Sequence, residues 1–331
     1  MTAPSIDVVG IGNAIVDVLT RADEAFLARH GLVKGTMALV DAARAEALYR
    51  EMGEGKEISG GSVANSIAGI ASLGGRGAYI GKLRDDELGA VFAHDLRTLG
   101  VGFATPPLKA GPATARCLIL VTHDAQRTMC TFLGACVELG PEDIDEKLIA
   151  SAQVTYLEGY LFDPPRAMAA FRKAAEIAHQ SGRKVALSLS DPFCVGRHRA
   201  EFLDLVDRHI DVLFANEHEI TALYETEHFE AAVQAVRGHC DIAVLTRSER
   251  GSDVVTREAL HHIAPAKVAA VVDTTGAGDL YAAGFLYGLT HGRDLETCGR
   301  LGSLAAGEII SHFGARPEIS LKLLAQQAGL I

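Results

Sequence analysis

Short apolar runs alternate with helical patterns along most of this chain, and this alternation limits the possible folds more than any other feature. Runs with the length and composition of buried strands occur at residues 6–11, 78–80, 154–157, 185–189, 212–214 and 243–245. Helical patterns occur at residues 61–73, 166–180, 217–223 and 229–237. Strands that alternate with helices form a parallel sheet, because each crossover needs a covering helix. The sequence therefore predicts an α/β fold with helices on both faces of a parallel sheet.

Two stretches interrupt this alternation, residues 18–40 and residues 114–137. The second contains CLILVTHDAQRTMCTFLG, which has the pattern of two strands joined by a polar turn at residues 123–126. A hairpin inserted in an α/β chain indicates a small second sheet, and no Pro-rich or Gly/Ser-rich linker separates independent domains. We therefore predict one domain over residues 1–331, with lid segments inserted at about residues 14–40 and 110–137.

The chain is acidic, with a formal net charge of −11 over 331 residues, and it has no cluster of basic residues. This charge repels a phosphate backbone, so we expect no nucleic-acid partner. An anionic substrate then needs local binding groups: backbone amides, one or two arginines and a metal ion. The six cysteines are scattered, and glycines together with Asp17 interrupt the apolar N-terminus. We therefore expect free thiols, no membrane segment and a cytoplasmic location.

The sharpest motif is VVDTTGAGDLYAAGFLYGL at residues 271–289, where an apolar, strand-like start leads through a glycine turn into an apolar helix. Small residues before the helix let backbone amides and the helix dipole bind a phosphate. Asp279, at the start of this helix, can take a proton from a hydroxyl that attacks phosphorus. The alternative is that Asp279 only caps the helix.

A second motif, ISGGSVANSIAGIASLGG, places Gly60 and Gly61 before a helix that carries Asn65. Paired glycines expose backbone amides, and an asparagine amide can both donate to and accept from a vicinal diol. The pattern favours a sugar site, although a tight turn before an amphipathic helix explains it equally well. Asp17, which follows the first strand, could accept hydrogen bonds from two adjacent hydroxyls or could cap a loop.

Two further segments are compatible with nucleotide binding. In LFANEHEI, Asn216 and Glu219 share one face of a helix start and could orient water around Mg²⁺; the alternative is an ordinary helix start. LTRSERG ends a strand in a polar glycine turn. GIGN at residues 10–13 does not support dinucleotide binding, because Ile15 stands at the third glycine of GxGxxG. Neither HExxH nor GxSxG occurs, which disfavours zinc-dependent and serine hydrolases.

Together these motifs resemble the ribokinase-like (PfkB) family of sugar and nucleoside kinases over nearly the whole chain. GGSVANSIAGIASLGG is similar to the N-terminal signature of that family, and DTTGAGDLYAAGFLYGL is similar to its C-terminal signature. GNAIVD, GGSVAN, SLSDPF and NEHE are most similar to its adenosine kinase branch. The resemblance implies a doubly wound, mostly parallel sheet with a small β-sheet lid, and transfer of the ATP γ-phosphate to a primary hydroxyl. For adenosine this is the 5′ hydroxyl.

The resemblance also implies roles for individual residues. Asp279 is implied as the base and Arg127 as the cation that reaches the transferred phosphate, and the implied anion hole consists of Gly276, Ala277 and Gly278. The residues implied to hold the ribose diol are Asn13, Asp17, Gly60, Gly61 and Asn65. Four apolar lid residues could sandwich a purine or simply pack the lid: Met37, Leu39, Phe132 and Leu133.

For ATP, the resemblance implies a nucleotide loop with Thr246, Arg247 and Gly251, and a Mg²⁺ site near Asn216 and Glu219. Asp273 and Thr275 match part of the site at which many relatives bind a monovalent cation such as K⁺, which backbone carbonyls near residues 309–314 would complete. The expected partners are ATP and a small-molecule acceptor, and the expected assembly is a monomer or a homodimer.

Adenosine is the expected acceptor, and the sequence leaves alternatives open. The nearest is a kinase of the same fold that acts on a free sugar such as ribose or fructose, or on inosine or guanosine. A different class of protein, a nucleoside sensor without catalysis, would use the same cleft for binding only. A nicotinamide oxidoreductase has the least support.

Overall fold

The structure is a computed structural model, which describes residues 4–124 and 126–331. Its strands are β1 (Ile6–Ile11), β2 (Ile15–Arg21), β3 (Met37–Leu39), β4 (Lys56–Gly60), β5 (Gly77–Ile80), β6 (Gly102–Phe103), β7 (Ala115–Val121), β8 (Arg127–Phe132), β9 (Ala152–Glu158), β10 (Lys184–Ser188), β11 (Val212–Asn216), β12 (Ile242–Thr246), β13 (Ser252–Val255) and β14 (Leu260–Ile263). Its helices are α1 (Glu24–Arg29), α2 (Ala42–Glu51), α3 (Ser62–Ser72), α4 (Glu87–Thr98), α5 (Glu146–Ser151), α6 (Pro165–Gln180), α7 (Pro192–Arg197), α8 (Arg199–His209), α9 (Glu217–Leu223), α10 (Phe229–Val236), α11 (Ala277–Thr290), α12 (Leu295–Ile309) and α13 (Leu321–Gln327). These elements form the predicted α/β fold.

The larger sheet contains nine of the described strands, in the order β14–β13–β12–β11–β10–β9–β1–β5–β6. From β12 to β6 all neighbours are parallel, whereas β13 and β14 are antiparallel additions at one edge. The chain therefore winds outward from β1 in both directions, first to β5 and β6 and later through β9 to β12. Sheets of this kind bind ligands beyond the carboxyl ends of the strands where the order reverses, which here is the region after Ile11.

Each face of the larger sheet packs against its own apolar core. Val8 and Val9 of β1 are both fully buried, but they point to opposite faces and belong to different cores. Residues of α3, α11 and α12 cover the Val8 face, and residues of α6, α8, α9 and α10 cover the Val9 face. Because both faces are covered, the strands are apolar throughout, which is why the sequence shows them as continuous apolar runs.

The smaller sheet contains five of the described strands, in the order β3–β8–β7–β2–β4. Residues 12–14 connect β1 to β2, and Gly61 connects β4 to α3, so these are two of the points at which the chain crosses between the sheets; the chain crosses again between β6 and β7 and between β8 and β9. The predicted hairpin is present, because β7 and β8 pair in antiparallel fashion. Ala125, within the predicted turn, lies outside the described residues. β4 also belongs to this sheet, although it lies outside the two predicted lid segments.

One local prediction is wrong. The apolar residues before Asp273 were expected to form a strand, but Val271 and Val272 lie in a loop and are 60% and 40% exposed. The N–H groups of Val272 and Asp273 donate to the carbonyl of Ile310 instead of to a neighbouring strand. Apolar composition alone does not distinguish a strand from a loop of this kind.

Two expectations from the sequence concern the state of the cysteines and the presence of membrane-spanning helices. All six cysteines are free, as expected from their scattered positions. Each helix within the described ranges is too short or too polar to cross a lipid bilayer.

Candidate active site

The glycine turn (Gly276, Ala277 and Gly278) introduces α11 and packs against the C-terminal part of the chain. Gly276 has a φ of 80°, and a Cβ atom at this position would lie 3.0 Å from the Cβ atom of Ala315. Glycine is therefore required here for both backbone and steric reasons. A Cβ atom at Gly278, in contrast, would meet no described atom within 4 Å. The turn is thus open on one side, where backbone amides and the N-terminus of α11 can approach an anion.

Asp279, in the first turn of α11, is held by the start of α3. Ser62 Oγ donates to Asp279 Oδ1 over 2.6 Å, and Asn65 Nδ2 donates to Asp279 Oδ2 over 2.9 Å. Ser66 Oγ donates to the main-chain carbonyl of Asp279 over 2.8 Å. Ser62 and Asp279 are 217 positions apart in sequence, so the two glycine-rich motifs meet only in the folded chain.

The surroundings of Asp279 change its acidity. Burial raises the pKa of Asp279 above the ordinary value of a carboxyl, while the hydrogen bonds from Ser62 and Asn65 and the charge of Arg316 act in the opposite direction. A carboxylate with a raised pKa is a stronger proton acceptor. Asn65 Oδ1 is buried and has no hydrogen-bond partner in the described part of the chain. It can therefore accept a hydrogen bond from a hydroxyl group placed beside Asp279.

Asp17 of β2 lies over the paired glycines, Gly60 and Gly61. A Cβ atom at Gly60 would come within 2.4 Å of Asp17 Oδ2. Gly61 has a φ of 93°, and a Cβ atom there would lie 2.3 Å from the carbonyl oxygen of Asn13. Burial raises the pKa of Asp17 to about 7, although nearby arginines lower it in part. The predicted diol residues Asn13, Asp17, Gly60 and Gly61 are thus brought together.

Glu158, the last residue of β9, belongs to this site but was not identified from sequence. Its Oε1 accepts from Asn13 Nδ2 over 2.6 Å, and its Oε2 accepts from the N–H of Val63 over 3.0 Å. Gly12 leaves room for it, since a Cβ atom there would lie 2.3 Å from Glu158 Oε2. Burial raises the pKa of Glu158 to about 7. The available signal was a carboxylate directly after the apolar run 154–157, the same placement that drew attention to Asp17.

One face of the smaller sheet carries Asp17 and a row of apolar side chains. The register aligns Asp17 of β2 with Cys117 of β7, and Cys117 with Thr131 of β8, so alternate residues from these positions share the face. The apolar strip on this face consists of Leu19, Ile119, Met129, Met37 and Leu39. Met37 and Leu39 are 49% and 61% exposed, so the far end of the strip is open.

Phe132 lies on the opposite face of the sheet from the apolar strip, which favours the second of its two predicted roles, packing of the lid, over contact with a purine. It is paired with Arg116, whose Nη2 donates to Glu46 of α2 on the other side of the sheet. Neighbouring residues of a strand point to opposite faces, so Phe132 faces away from Asp17. Leu133 follows the end of β8 and is half-buried.

Arg127 of β8 reaches across to the residues before the glycine turn. Its Nη1 donates to Thr275 Oγ1 over 2.8 Å, and its Nη2 forms an ion pair with the carboxylate of Asp273. The guanidinium carbon lies 5.9 Å from the centre of the Phe313 ring, and the side chain is 9% exposed. Arg127 therefore joins the smaller sheet directly to the segment that leads into α11.

The carboxylate of Asp273 is fully engaged by protein donors. Its Oδ1 accepts from the N–H and the hydroxyl of Thr275, and its Oδ2 accepts from the N–H of Gly314 and pairs with Arg127. A carboxylate with this many donors is a poor ligand for a monovalent cation. The side-chain part of the predicted K⁺ site therefore does not fit the arrangement of Asp273.

Asn216 and Glu219 form a reciprocal cap at the start of α9. The Asn216 side chain accepts from the N–H groups of His218 and Glu219, while Glu219 Oε2 and Oε1 accept from the N–H and Nδ2 of Asn216 over 2.9 and 2.6 Å. Burial raises the pKa of Glu219 to about 7. The helix-start geometry is present, and the remaining lone pairs of Glu219 can still accept from a metal-bound water. Within the described ranges, no cluster of three His, Cys, Asp or Glu side chains is arranged to bind a metal.

The predicted nucleotide loop follows β12. Gly251 has a φ of 79°, and a Cβ atom there would lie 2.1 Å from the carbonyl oxygen of Ile263, so the turn after Thr246 requires glycine. The Arg247 guanidinium carbon lies 4.0 Å from the centre of the Phe229 ring, and its nitrogens lie 3.6 Å from Glu230 and 3.7 Å from Asp253. Arg247 is thus stacked on Phe229 at the start of α10.

Arg316 is the second site residue that was not identified from sequence. Its Nε and Nη2 donate to the carbonyl of Ser59 over 3.1 and 2.8 Å, and its Nη1 donates to the carbonyl of Ala64 over 2.6 Å. Its positive charge lowers the pKa of both Asp17 and Asp279. The local sequence GARPE contains no motif that indicates these contacts.

Comparison with known proteins finds kinases at the level of family, sequence and structure. The model of the family described as pfkB family carbohydrate kinase matches residues 33–321. Among solved structures, an adenosine kinase from Sinorhizobium meliloti has 54% sequence identity and a TM-score of 0.91, covering 98% of this chain and 99% of that chain. A probable sugar kinase protein from Rhizobium etli CFN 42 has 50% identity and a TM-score of 0.93, covering 99% of this chain and 100% of that chain. An adenosine kinase from Saccharomyces cerevisiae is 27% identical over 337 residues, covering 95% of this chain and 96% of its own length.

Proposed function

This chain belongs to the pfkB family of carbohydrate kinases, and we propose that it transfers the γ-phosphoryl group of ATP to the 5′ hydroxyl of adenosine, giving AMP and ADP. The similarity to adenosine kinases from a bacterium and a yeast over nearly the full chain supports this choice within the family. The family itself also contains kinases of other acceptors, so the choice of adenosine must come from the site.

The observation that carries the proposal is the shared face of Asp17 and the apolar strip. A ribose diol needs acceptors, which the Asp17 carboxylate and Asn65 Oδ1 supply, and a purine needs apolar surface next to them. Leu19 lies two residues from Asp17 on the same strand face, about 7 Å along the strand. Met37 and Leu39 extend this surface to an open edge, where a ring larger than a sugar can be accommodated.

In the proposed reaction, Asp279 removes the proton of the 5′ hydroxyl while the hydroxyl oxygen forms a bond to the γ-phosphorus. The bond between this phosphorus and the bridging oxygen breaks, and ADP takes the negative charge of that oxygen. Ser62 and Asn65 orient the carboxylate of Asp279, so that it faces the acceptor without searching among rotamers.

Charge on the transferring group is neutralised from several sides in this proposal. The amides of the glycine turn and the N-terminus of α11 face the phosphoryl oxygens, and Arg127 lies beside Thr275 at the entrance of the turn. Mg²⁺ bound to ATP would neutralise the phosphates further, and Asn216 and Glu219 would hold it through its waters. Closure of the smaller sheet over the acceptor would exclude water that otherwise accepts the phosphoryl group.

A free sugar is the second candidate acceptor, favoured by the 50% identity with a probable sugar kinase protein. The two candidates make different demands on the apolar strip, because a free pentose or hexose has no group that reaches Met37 or Leu39. Met37 and Leu39 would then remain exposed to water in the complex, which is unfavourable for apolar side chains.

The test is a steady-state panel of adenosine, inosine, guanosine, ribose and fructose with ATP and Mg²⁺. We expect the highest kcat/KM with adenosine, with AMP and ADP formed in equal amounts. A higher kcat/KM with ribose or fructose would overturn the assignment to adenosine and leave a sugar kinase. Adenosine binding without ADP release would instead indicate a sensor.

A further inference from the structure

Three consecutive residues near the C-terminus, 314–316, contact both glycine-rich turns of the site. The N–H of Gly314 donates to Asp273 Oδ2 over 3.0 Å, and Ala315 packs against Gly276. Arg316 then crosses to the other turn, where it binds the carbonyl oxygens of Ser59 and Ala64. This short segment therefore contacts both the glycine turn and the paired glycines, in addition to the hydrogen bonds that join the two motifs through Asp279.

The acceptors of Arg316 lie on either side of the paired glycines. Ser59 immediately precedes Gly60, and Ala64 is in the first turn of α3, next to Asn65. The guanidinium also donates to Ser59 Oγ over 3.0 Å. Because its nitrogens lie in one plane and donate in fixed directions, the guanidinium sets the distance between Ser59 and Ala64.

We propose that Arg316 is a positioning residue for phosphoryl transfer: by bridging Ser59 and Ala64, it fixes the start of α3 so that Ser62 and Asn65 hold the Asp279 carboxylate towards the acceptor. This inference rests on the proposed role of Asp279 as the base, but not on the identity of the acceptor. Arg316 itself does not touch a reacting atom; it acts through α3.

The close packing around α3 makes the position of this helix sensitive to the bridge that Arg316 forms between Ser59 and Ala64. Gly69 of α3 lies so close to α11 that a Cβ atom there would come within 2.6 Å of Leu280 Cδ1. On the other side, the N–H of Val63 is bound by Glu158. Arg316 adds a further attachment at the start of α3, through the carbonyl of Ala64, and a shift of about 1 Å in a catalytic group can reduce turnover about 100-fold.

The charge of Arg316 has a second effect, on Asp17. Burial lowers the pKa of Arg316 to about 10, so the guanidinium is still charged at neutral pH. The groups that face Asp17 are Arg127 of β8, Cys117 of β7, Asp279 of α11 and Arg316. The two arginines favour the ionised form of Asp17, while Asp279 opposes it. Loss of Arg316 therefore favours the protonated form of Asp17.

The experiment compares the wild type with Arg316→Met, which keeps much of the length but removes charge and hydrogen bonds, and with Arg316→Lys, which keeps the charge but replaces the planar guanidinium with a single nitrogen. The matched control is Arg116→Met, since Arg116 is an arginine that is only 8% exposed but contacts Glu46 and Tyr49 away from the crevice. For each protein we would measure kcat, the KM of the acceptor, the Kd of ATP, and the pKa of Asp17 by NMR with ¹³C-labelled aspartate.

We expect Arg316→Met to reduce kcat about 100-fold, with the Kd of ATP within about twofold of the wild type. Arg316→Lys should lose less kcat than Arg316→Met and keep the pKa of Asp17 at about 7, whereas Arg316→Met should raise this pKa. A kcat of Arg316→Met within about threefold of the wild type, or an equal loss in Arg116→Met, would overturn the proposal. If Arg316→Met does not fold, the partial loss in Arg316→Lys decides the question.

The outcome is separable from that of the proposed function. If the acceptor panel identifies a sugar instead of adenosine, the same variants are assayed with that sugar, because the orientation of Asp279 does not depend on the acceptor. If no acceptor in the panel is phosphorylated, a crystal structure of Arg316→Met decides, and unchanged hydrogen bonds from Ser62 and Asn65 to Asp279 would contradict the proposed arrangement.

Discussion

Arg127 and Asp273 form an ion pair that spans the crevice between the two sheets. Arg127 lies on β8 of the smaller sheet, and Asp273 precedes the glycine turn of α11, so the pair holds the smaller sheet against the turn that we propose binds phosphate. The same guanidinium donates to Thr275, which lies next to Gly276. A phosphoryl group at the turn is therefore within the region that Arg127 already occupies, and it competes with Asp273 for this cation.

Replacement of Arg127 should weaken stabilisation of the transferring group. We expect Arg127→Gln to reduce kcat about 100-fold or more, the loss typical for one donor of an oxyanion site. The Kd of ATP should change less than kcat, because glutamine retains a donor near Thr275. The control is Arg50→Gln, whose side chain is 75% exposed on α2. Rates would be measured by coupled detection of ADP, and a kcat near that of Arg50→Gln would remove Arg127 from the mechanism.

Removal of the Asp279 carboxylate tests the proposed base. Asp279→Asn keeps the size of the side chain but not its ability to take a proton, so we expect kcat to fall roughly 100-fold to 10,000-fold. Binding of ATP, measured by calorimetry, should be largely unchanged. Asp294→Asn is a matched control, because Asp294 also lies at a helix start but caps α12 at the surface. Near-normal turnover of Asp279→Asn would show that another group accepts the proton.

The pH dependence of acceptor binding should report the ionisation of Asp17. Its pKa is raised to about 7, so the carboxylate is present above this pH and becomes protonated below it. A protonated Asp17 accepts fewer hydrogen bonds from a diol, so kcat/KM for the acceptor should fall by about tenfold for each pH unit below the pKa.

Other carboxyls of the site titrate in the same range, so the fall of kcat/KM at low pH must be assigned to one of them. Glu158 and Glu219 also have a pKa raised to about 7 by burial. In Asp17→Asn, kcat/KM should be low at all pH values and the limb that belongs to Asp17 should disappear. An unchanged profile in this variant would assign the loss of kcat/KM at low pH to Asp279, Glu158 or Glu219.

A methyl group at Gly60 should displace Asp17. The added Cβ would lie 2.4 Å from Asp17 Oδ2, far inside contact distance. We expect Gly60→Ala to raise the KM of the acceptor about tenfold or more, since a charged hydrogen bond contributes about 1.5–3 kcal/mol. Gly196→Ala is the control, because a Cβ at Gly196 meets no described atom within 4 Å. A normal KM for Gly60→Ala would mean that Asp17 does not bind the acceptor in this position.

A charge in the apolar strip should affect a nucleoside more than a sugar. Leu39→Asp places a carboxylate at a position that is 61% exposed, so the fold should tolerate it. We expect the KM of adenosine to rise about tenfold, while any activity with ribose stays the same. Leu323→Asp, at a site 59% exposed on α13, serves as the control. An equal effect on both acceptors, or none on adenosine, would argue against a base site at the strip.

The parts of this molecule that were predictable from sequence are those with a local signal. The first strand was predicted at residues 6–11 and is observed at Ile6–Ile11, and the helix predicted at 217–223 is observed at Glu217–Leu223. Both end at polar or turn-forming residues that are visible in the sequence. The glycine turn was equally visible, because its left-handed Gly276 and the helix that follows are encoded by adjacent residues.

What was missed depends on contacts between distant segments. Arg316 binds carbonyl oxygens of Ser59 and Ala64, more than 250 positions away, and no property of GARPE encodes this partner. The sequence left two roles open for Phe132 because the side of a strand that faces the crevice depends on the register between β7 and β8. Backbone carbonyls and strand register leave no signature in a single sequence.

Two of the crossings between the sheets are very short, and this has a mechanical consequence. The chain passes from β1 to β2 through residues 12–14 and from β4 to α3 through Gly61, so a rotation of one sheet relative to the other must change backbone torsions at these joints. Asn13 and the paired glycines, which we propose as acceptor-binding residues, are these joints. A bound acceptor would restrain the backbone torsions that must change when the two sheets separate. Binding of the acceptor should therefore stabilise the closed arrangement of the sheets.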